Sequence, residues 1–268
     1  MTAYPPVPPG LVVDHDGPVL RIRLDRPERR NAITDDMVLA LIDVLEAAGG
    51  DESVRVIAIS GTGDHFCSGF DLALRDGEER PRVGSVQRRM RTHVNRLIPA
   101  MLETQTPIVT SVQGWAIGLG LHLALASDFA IVADDARLRE PFTAFGFTPD
   151  SGGSWLLPRL VGVARAKELL LLAREISGAR AAEWGLVHRA VPGKELEAAS
   201  AELVDDLARS ATVAVGLAKA LVHRGLTAPL DAQLAEEAVA MEISSRSEDF
   251  REYRLARKEG RDPRFRGR

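Results

Sequence analysis

Val19-Leu20-Arg21-Ile22-Arg23-Leu24 alternates apolar and polar side chains, the period of a strand with one buried face, and Asp25-Arg26-Pro27 ends it. Behind Thr34, a candidate N-cap, Met37, Leu41, Val44, Leu45 and Ala48 recur at helical spacing until Gly49-Gly50. Val54 to Ser60 predicts the next strand, and a helix follows over Val86 to Glu103. Pro107 then opens a strand over Ile108 to Val112. The mixed-charge stretch from Arg75 to Arg82 reads as exposed and mobile. Gly120 to Ala126 is apolar nearly all round, which predicts a buried helix, and Phe129 to Ala133 predicts another strand.

Downstream of Asp150-Ser151-Gly152-Gly153 the periodicity turns helical: Lys167 to Ala173, Ala179 to Trp184, Glu195 to Arg209, Val213 to Arg224 and Leu230 to Ser245. Helices with apolar stripes and no sheet of their own need another surface to cover, and a second subunit is one candidate. The first half shows no solenoid repeat, only a loose recurrence of strand, strand and helix.

Composition narrows the classes. With 268 residues, 45% of them hydrophobic, the chain can bury a full core as one large domain or a domain with an appendage. A net charge of -4 gives no broad basic footprint for nucleic acid, and the basic stretch Arg251 to Arg268 reads as a solvated helix end. Cys67 is the single cysteine, so no disulfide forms within the chain and a reducing, cytoplasmic compartment is expected. Met1 to Gly10 is proline-rich, without a basic start and apolar run, and reads as a loose arm, not a signal peptide. No run of about 18 apolar residues suggests a membrane span.

Two glycine-bearing stretches carry the chemistry. His65-Phe66-Cys67-Ser68-Gly69-Phe70-Asp71-Leu72 and Gln113-Gly114-Trp115-Ala116-Ile117-Gly118-Leu119-Gly120 each follow a strand and lead toward a helix. Such turns present backbone N–H groups at a helix N-terminus, where partial positive charge stabilises an anion. The pair resembles the signature of the crotonase superfamily, the enoyl-CoA hydratase and isomerase relatives, from about Leu11 to the C-terminus. The resemblance implies an α/β fold: a spiral of ββα turns over 11–195 after an arm over 1–10, then a helical region over 196–268 that packs trimers, often paired as hexamers.

It also implies roles for particular residues. Phe70 and Leu119 match the two backbone donors of an oxyanion hole for a thioester enolate. Gly69-Phe70-Asp71-Leu72 keeps the family's Gly-x-Asp-Leu pattern, whereas Leu119 replaces the middle of three glycines found in hydratases, which keeps an N–H but narrows the pocket. The two glutamates of a hydratase match His122 and Phe142, so neither carboxylate is present. Glu140 lies two residues away, and a surface or ion-pair role is expected of it. The run Phe147 to Gly162 resembles the isomerases, ring-epoxide phenylacetyl-CoA and dienoyl-CoA isomerases among them, whose matched aspartate transfers protons. Asp150 is therefore a candidate proton shuttle; its other reading is the N-cap of the following helix. His122 reads either as a packed core histidine or as a group positioning a substrate oxygen or water.

Cys67 reads as packing, and His65, His93, His188 and His223 lack ligand spacing, so no metal is expected. Coenzyme A, as part of the substrate and not a permanently bound cofactor, is implied along Ser68 to Ala73, including Phe70, Asp71 and Leu72, and beside Leu119. Arg29, Asn31 and Ala32 lie nearby in this reading, with Arg29 or Arg30 meeting the phosphates. Leu74 to Met90 is expected to shape the acyl pocket. Asp249-Phe250-Arg251-Glu252 also resembles the family, while Arg257 and Gly260 depart from its usual aromatic and lysine.

The expectation is thus an acyl-CoA isomerase of fatty acid metabolism, forming a homotrimer or hexamer with no nucleic-acid or membrane partner. The alternatives are an enoyl-CoA hydratase, a lyase whose water is held by His122 and Asp150, and a non-catalytic acyl-CoA- or RNA-binding relative.

Overall fold

The computed structural model describes residues 4–72 and 82–268. Most of the stretch expected to be mobile, Arg75 to Glu79 with its neighbours to Pro81, lies outside the described residues, as do Ala73 and Leu74.

A six-stranded sheet forms the centre, in the order β1 (Leu11–Asp16), β2 (Val19–Leu24), β3 (Val56–Gly61), β4 (Ile108–Val112), β6 (Phe129–Ala133) and β9 (Arg189–Val191). β1 and β2 are antiparallel and every later pairing is parallel. A second sheet joins β5 (Trp115–Ile117), β7 (Arg137–Arg139) and β8 (Glu175–Ser177). The chain visits the large sheet, then the small one, then a helix: β4, β5 and α4 (Leu119–Ala126) make one such turn, and β6 with β7 begin the next. An isolated bridge from Cys67 to Ala116 extends the small layer back beneath β3. This is the spiral of ββα turns.

Helices fill between the layers. In α1 (Asp35–Gly49) the Thr34 hydroxyl accepts from Met37 N at 3.3 Å, and eight of its residues are buried, Met37, Leu41 and Leu45 among them in the main core. All eight residues of α4 are buried, as its uninterrupted apolar pattern requires. The opposite sheet face is closed by α7 (Leu196–Arg209), whose Val204, Leu207 and Ala208 pack on Val19, Val56 and Val109.

Several boundaries differ from the sequence reading. The single helix expected over Val86 to Glu103 is two, α2 (Ser85–Thr92) and α3 (Val94–Glu103), because His93 leaves helical geometry at φ −122°, ψ −102°. α5 spans Gly153–Leu172, beginning well before Lys167, with Gly162 (φ +75°) interrupting it. The N-terminal segment read as a loose arm is laid on the core from Tyr4 onward: Tyr4 and Val7 pack on it, and the Tyr4 hydroxyl donates to Asp51. After α6 (Gly178–Glu183) and α7 come α8 (Thr212–Gly225), α9 (Leu230–Ser245) and α10 (Glu248–Glu259). The tail beyond α10 folds back, with Asp249 accepting from the Arg266 and Gly267 amides at 2.6 and 2.8 Å. Among the described residues, no helix is long and apolar enough to cross a membrane.

Candidate active site

The two glycine-bearing turns are strapped together by backbone hydrogen bonds: Phe66 N to Gln113 O, Cys67 N to Trp115 O and Ile117 N to Cys67 O, at 2.8 to 3.0 Å. Asn31, wholly buried, holds the first turn from behind, donating to Thr62 O and His65 O and accepting from Arg26 N. Gly69 then takes φ +100°, and a Cβ built on it would stand 2.8 Å from Ile117 O and 3.9 Å from Leu119 N. Only glycine satisfies both demands, and the close approach sets residue 70 beside residue 119. Leu119 is the first residue of α4, whose ladder begins with His122 N to Gly118 O, so its N–H precedes that ladder at the positive end of the helix.

Phe70, Leu119 and Asp150 line one cavity of about 730 Å³. One wall is a face of the small sheet, where Trp115, Ile117, Arg137, Arg139 and Glu175 share a side through strand alternation. The other is apolar, with Val86, Met90, Val94, Phe142, Phe145 and Phe147. Among the described residues, three acidic ones line the cavity. Asp35 is paired with Arg89 at 3.2 Å and Glu175 with Arg137 at 2.7 Å. Asp150 has no ion pair among the described residues; its Oδ1 accepts from the Ser151 hydroxyl at 2.7 Å. The N-cap of α5 is Gly152, with no side-chain cap, so the Asp150 carboxylate does not serve as the helix cap.

The profile of the enoyl-CoA hydratase/isomerase family matches residues 14–268. The chain belongs to this family. It is similar to the 1,2-epoxyphenylacetyl-CoA isomerase of Escherichia coli, with 34% identity over 93% of this chain and 95% of that one. The crotonyl-CoA hydratase of Syntrophomonas wolfei is 31% identical over 95% and 97%. The crystal structure of an enoyl-CoA hydratase from Bacillus anthracis superposes with a TM-score of 0.90 at 32% identity, covering 97% of this chain and 100% of that one. The fold is accordingly that of the crotonase superfamily.

In this enoyl-CoA hydratase/isomerase family member, of the two roles expected of Glu140 the surface one does not hold and the pairing one does: it is wholly buried and paired with His122, Nε2 to Oε1 at 2.9 Å. His122 is not among the cavity-lining residues; its ring stacks on Phe142, which is, so the pair sits behind that wall. Of the residues expected along coenzyme A, Ser68, Phe70, Leu72 and Leu119 line the cavity. Asp71 is buried and held by Arg26 and Arg29 at 3.0 and 3.3 Å, charge-assisted contacts that brace the first turn. Ala32 is buried, and its carbonyl accepts from Arg26. Arg29 and Arg30 stay exposed, with Arg30 stacked over Trp115. Cys67 is buried, and desolvation pushes its thiol up to about 12, which removes it as a nucleophile. Among the described residues no group of three or more His, Cys, Asp or Glu side chains comes together as a metal site.

His93, read from the sequence only as a histidine without ligand spacing, lines the cavity at the break between α2 and α3. The adjoining Thr92, a residue that bonds local backbone in competition with the helix, is the only sequence signal for that break.

Proposed function

We propose that the protein is an acyl-CoA isomerase acting through a thioester enolate, with Asp150 as its proton shuttle. The observation that carries this reading is that Asp150 alone, among the described carboxylates of the cavity, is not committed to a guanidinium. The carboxylate takes a proton from the carbon next to the thioester carbonyl. The C–H electron pair becomes a C=C bond, and the carbonyl π pair moves to oxygen, where the Phe70 and Leu119 N–H groups stabilise the charge. The protonated carboxyl, which can exchange its proton with solvent, then delivers a proton to a different carbon as the C=O re-forms, so the double bond migrates and nothing is added. Coenzyme A lies against the first turn along Ser68, Phe70 and Leu72, with Arg29 or Arg30 toward its phosphates.

The name of the Syntrophomonas wolfei relative favours a second reading, a hydratase. A water held between His122 and Asp150 is disfavoured by the burial of His122 behind Phe142 and its commitment to Glu140. A single buried cysteine supports a reducing, cytoplasmic setting. Leu230, Leu234, Val239, Met241 and Ile243, exposed on α9, support a homotrimer or hexamer.

Incubation with 3-enoyl-CoA and 2-enoyl-CoA tests the reading by product mass. Interconversion at unchanged mass supports the isomerase; gain of one water supports the hydratase; binding without turnover supports a non-catalytic relative.

A further inference from the structure

The break at His93 fixes which nitrogen of its ring meets the end of α2. Nδ1 lies 3.1 Å from the Arg89 carbonyl oxygen and 2.8 Å from the Thr92 hydroxyl, which itself donates to the same carbonyl at 3.0 Å. A carbonyl oxygen only accepts, so Nδ1 carries a proton, and in the neutral ring the lone pair is on Nε2. Nδ1 is turned to the end of α2, which points the opposite edge of the ring away from that helix. Nε2 has no hydrogen-bond partner among the described residues.

The surrounding wall is apolar: Val86, Met90, Val94, Phe142 and Phe147. Its other charged groups, Arg89 and Asp35, are spent on each other at 3.2 Å. One acceptor nitrogen thus stands on the apolar side of a cavity whose other wall carries Arg137, Arg139 and Glu175. A purely hydrocarbon acyl group filling that side would strip water from Nε2 and return nothing, whereas an acyl group with a hydroxyl would satisfy it. Sites of this kind discriminate most strongly against ligands that leave a built-in polar group unpaired.

We propose that His93 Nε2 recognises a hydroxyl group on the acyl chain, making hydroxylated acyl-CoA thioesters the preferred ligands of this cavity. The proposal rests on the acyl-CoA reading above, but not on the reaction performed there. α3, which His93 precedes, packs Ile98 against Gly152, where a Cβ would stand 3.5 Å from Ile98. The Asp150 turn therefore packs on the same helix that His93 precedes.

The test is affinity, by calorimetry on an Asp150→Asn background so that turnover does not consume the ligand. The probes are 3-hexenoyl-CoA and its 5-hydroxy and 6-hydroxy derivatives. A hydroxylated thioester is expected to bind roughly three- to tenfold tighter than the plain one, the net worth of one neutral hydrogen bond. His93→Phe should bring that ratio to one or below, and His93→Leu serves if the phenylalanine variant does not fold. A ratio of one with His93 present, or an unchanged ratio without it, overturns the proposal. Failure of all three thioesters to bind overturns it together with the acyl-CoA reading, whereas binding with the expected ratio but no isomerisation by the unmodified protein overturns only the reading of the reaction.

Discussion

Nε2 of His122 lies 2.9 Å from Oε1 of Glu140, and neither side chain is reached by solvent. Nδ1 of the one and Oε2 of the other have no hydrogen-bond partner among the described residues, so this contact carries the polar satisfaction of the pair. It joins α4 to the chain leaving β7. The N-terminus of α5 closes over it, since a Cβ added at Gly153 would collide with His122 Nε2. Three elements that shape the cavity wall therefore meet on one buried contact.

Removing one partner should cost far more than modifying it. Glu140→Ala leaves an uncompensated buried imidazole and is expected to lose about 3–5 kcal/mol of stability in urea unfolding. Glu140→Gln retains a carbonyl oxygen at the position of Oε1 and should lose clearly less.

The approach of the two turns makes Gly69 irreplaceable. Gly69→Ala meets both φ +100° and the Ile117 carbonyl, at 2.8 Å from the new Cβ. The strain of about 1–3 kcal/mol should appear as a lowered Tm, and displacement of the Phe70 amide as a fall in kcat of tenfold or more.

Cys67 supplies a pH dependence. In the unfolded chain its thiol ionises near the ordinary 9.0, while the folded protein holds the proton to about 12 through desolvation. Between these values the unfolded state binds fewer protons, so its contribution to stability falls as pH rises, by about 1.4 kcal/mol per pH unit. Subtracting the unfolding free energy of Cys67→Ala at each pH isolates this slope above pH 9; below it the two proteins should run parallel.

Lys219 tests how the late helices are fixed to the core. Its Nζ meets Asp128 at 2.8 Å and donates to Met101 O, while burial lowers its pKa and Asp128 opposes that shift. Lys219→Met should cost about 3 kcal/mol in urea unfolding, because Asp128 stays behind partly buried, with the Ile108 amide still donating to it at 2.7 Å.

What could be read along the chain was whatever local pattern decides. α4 is apolar on every side and is buried on every side; Thr34 caps α1; β2, β4 and β6 fall where their apolar runs lie. The three-residue strands β7, β8 and β9 are too short to show a period of two. The first half of α5 was hidden by Pro158 and Gly162, which interrupt its pattern. At the site, the turns and Asp150 were legible because their order along the chain repeats a known arrangement. The burial of Glu140 and the identity of its partner were not: that partner is 18 residues away, and a glutamate before a proline carries no local sign of burial. His93 was hidden because a one-residue break, invisible to helical periodicity, decides where its ring points.

The most direct test of the central claim is α-proton exchange in D2O, followed by mass spectrometry of a 3-enoyl-CoA, with the unmodified protein and with Asp150→Asn. The account predicts that the unmodified protein incorporates deuterium and migrates the double bond, while the asparagine variant still binds the thioester but loses both activities by roughly 10²-fold or more, the range of a missing general acid–base group. Exchange and migration by Asp150→Asn at rates close to those of the unmodified protein would contradict it.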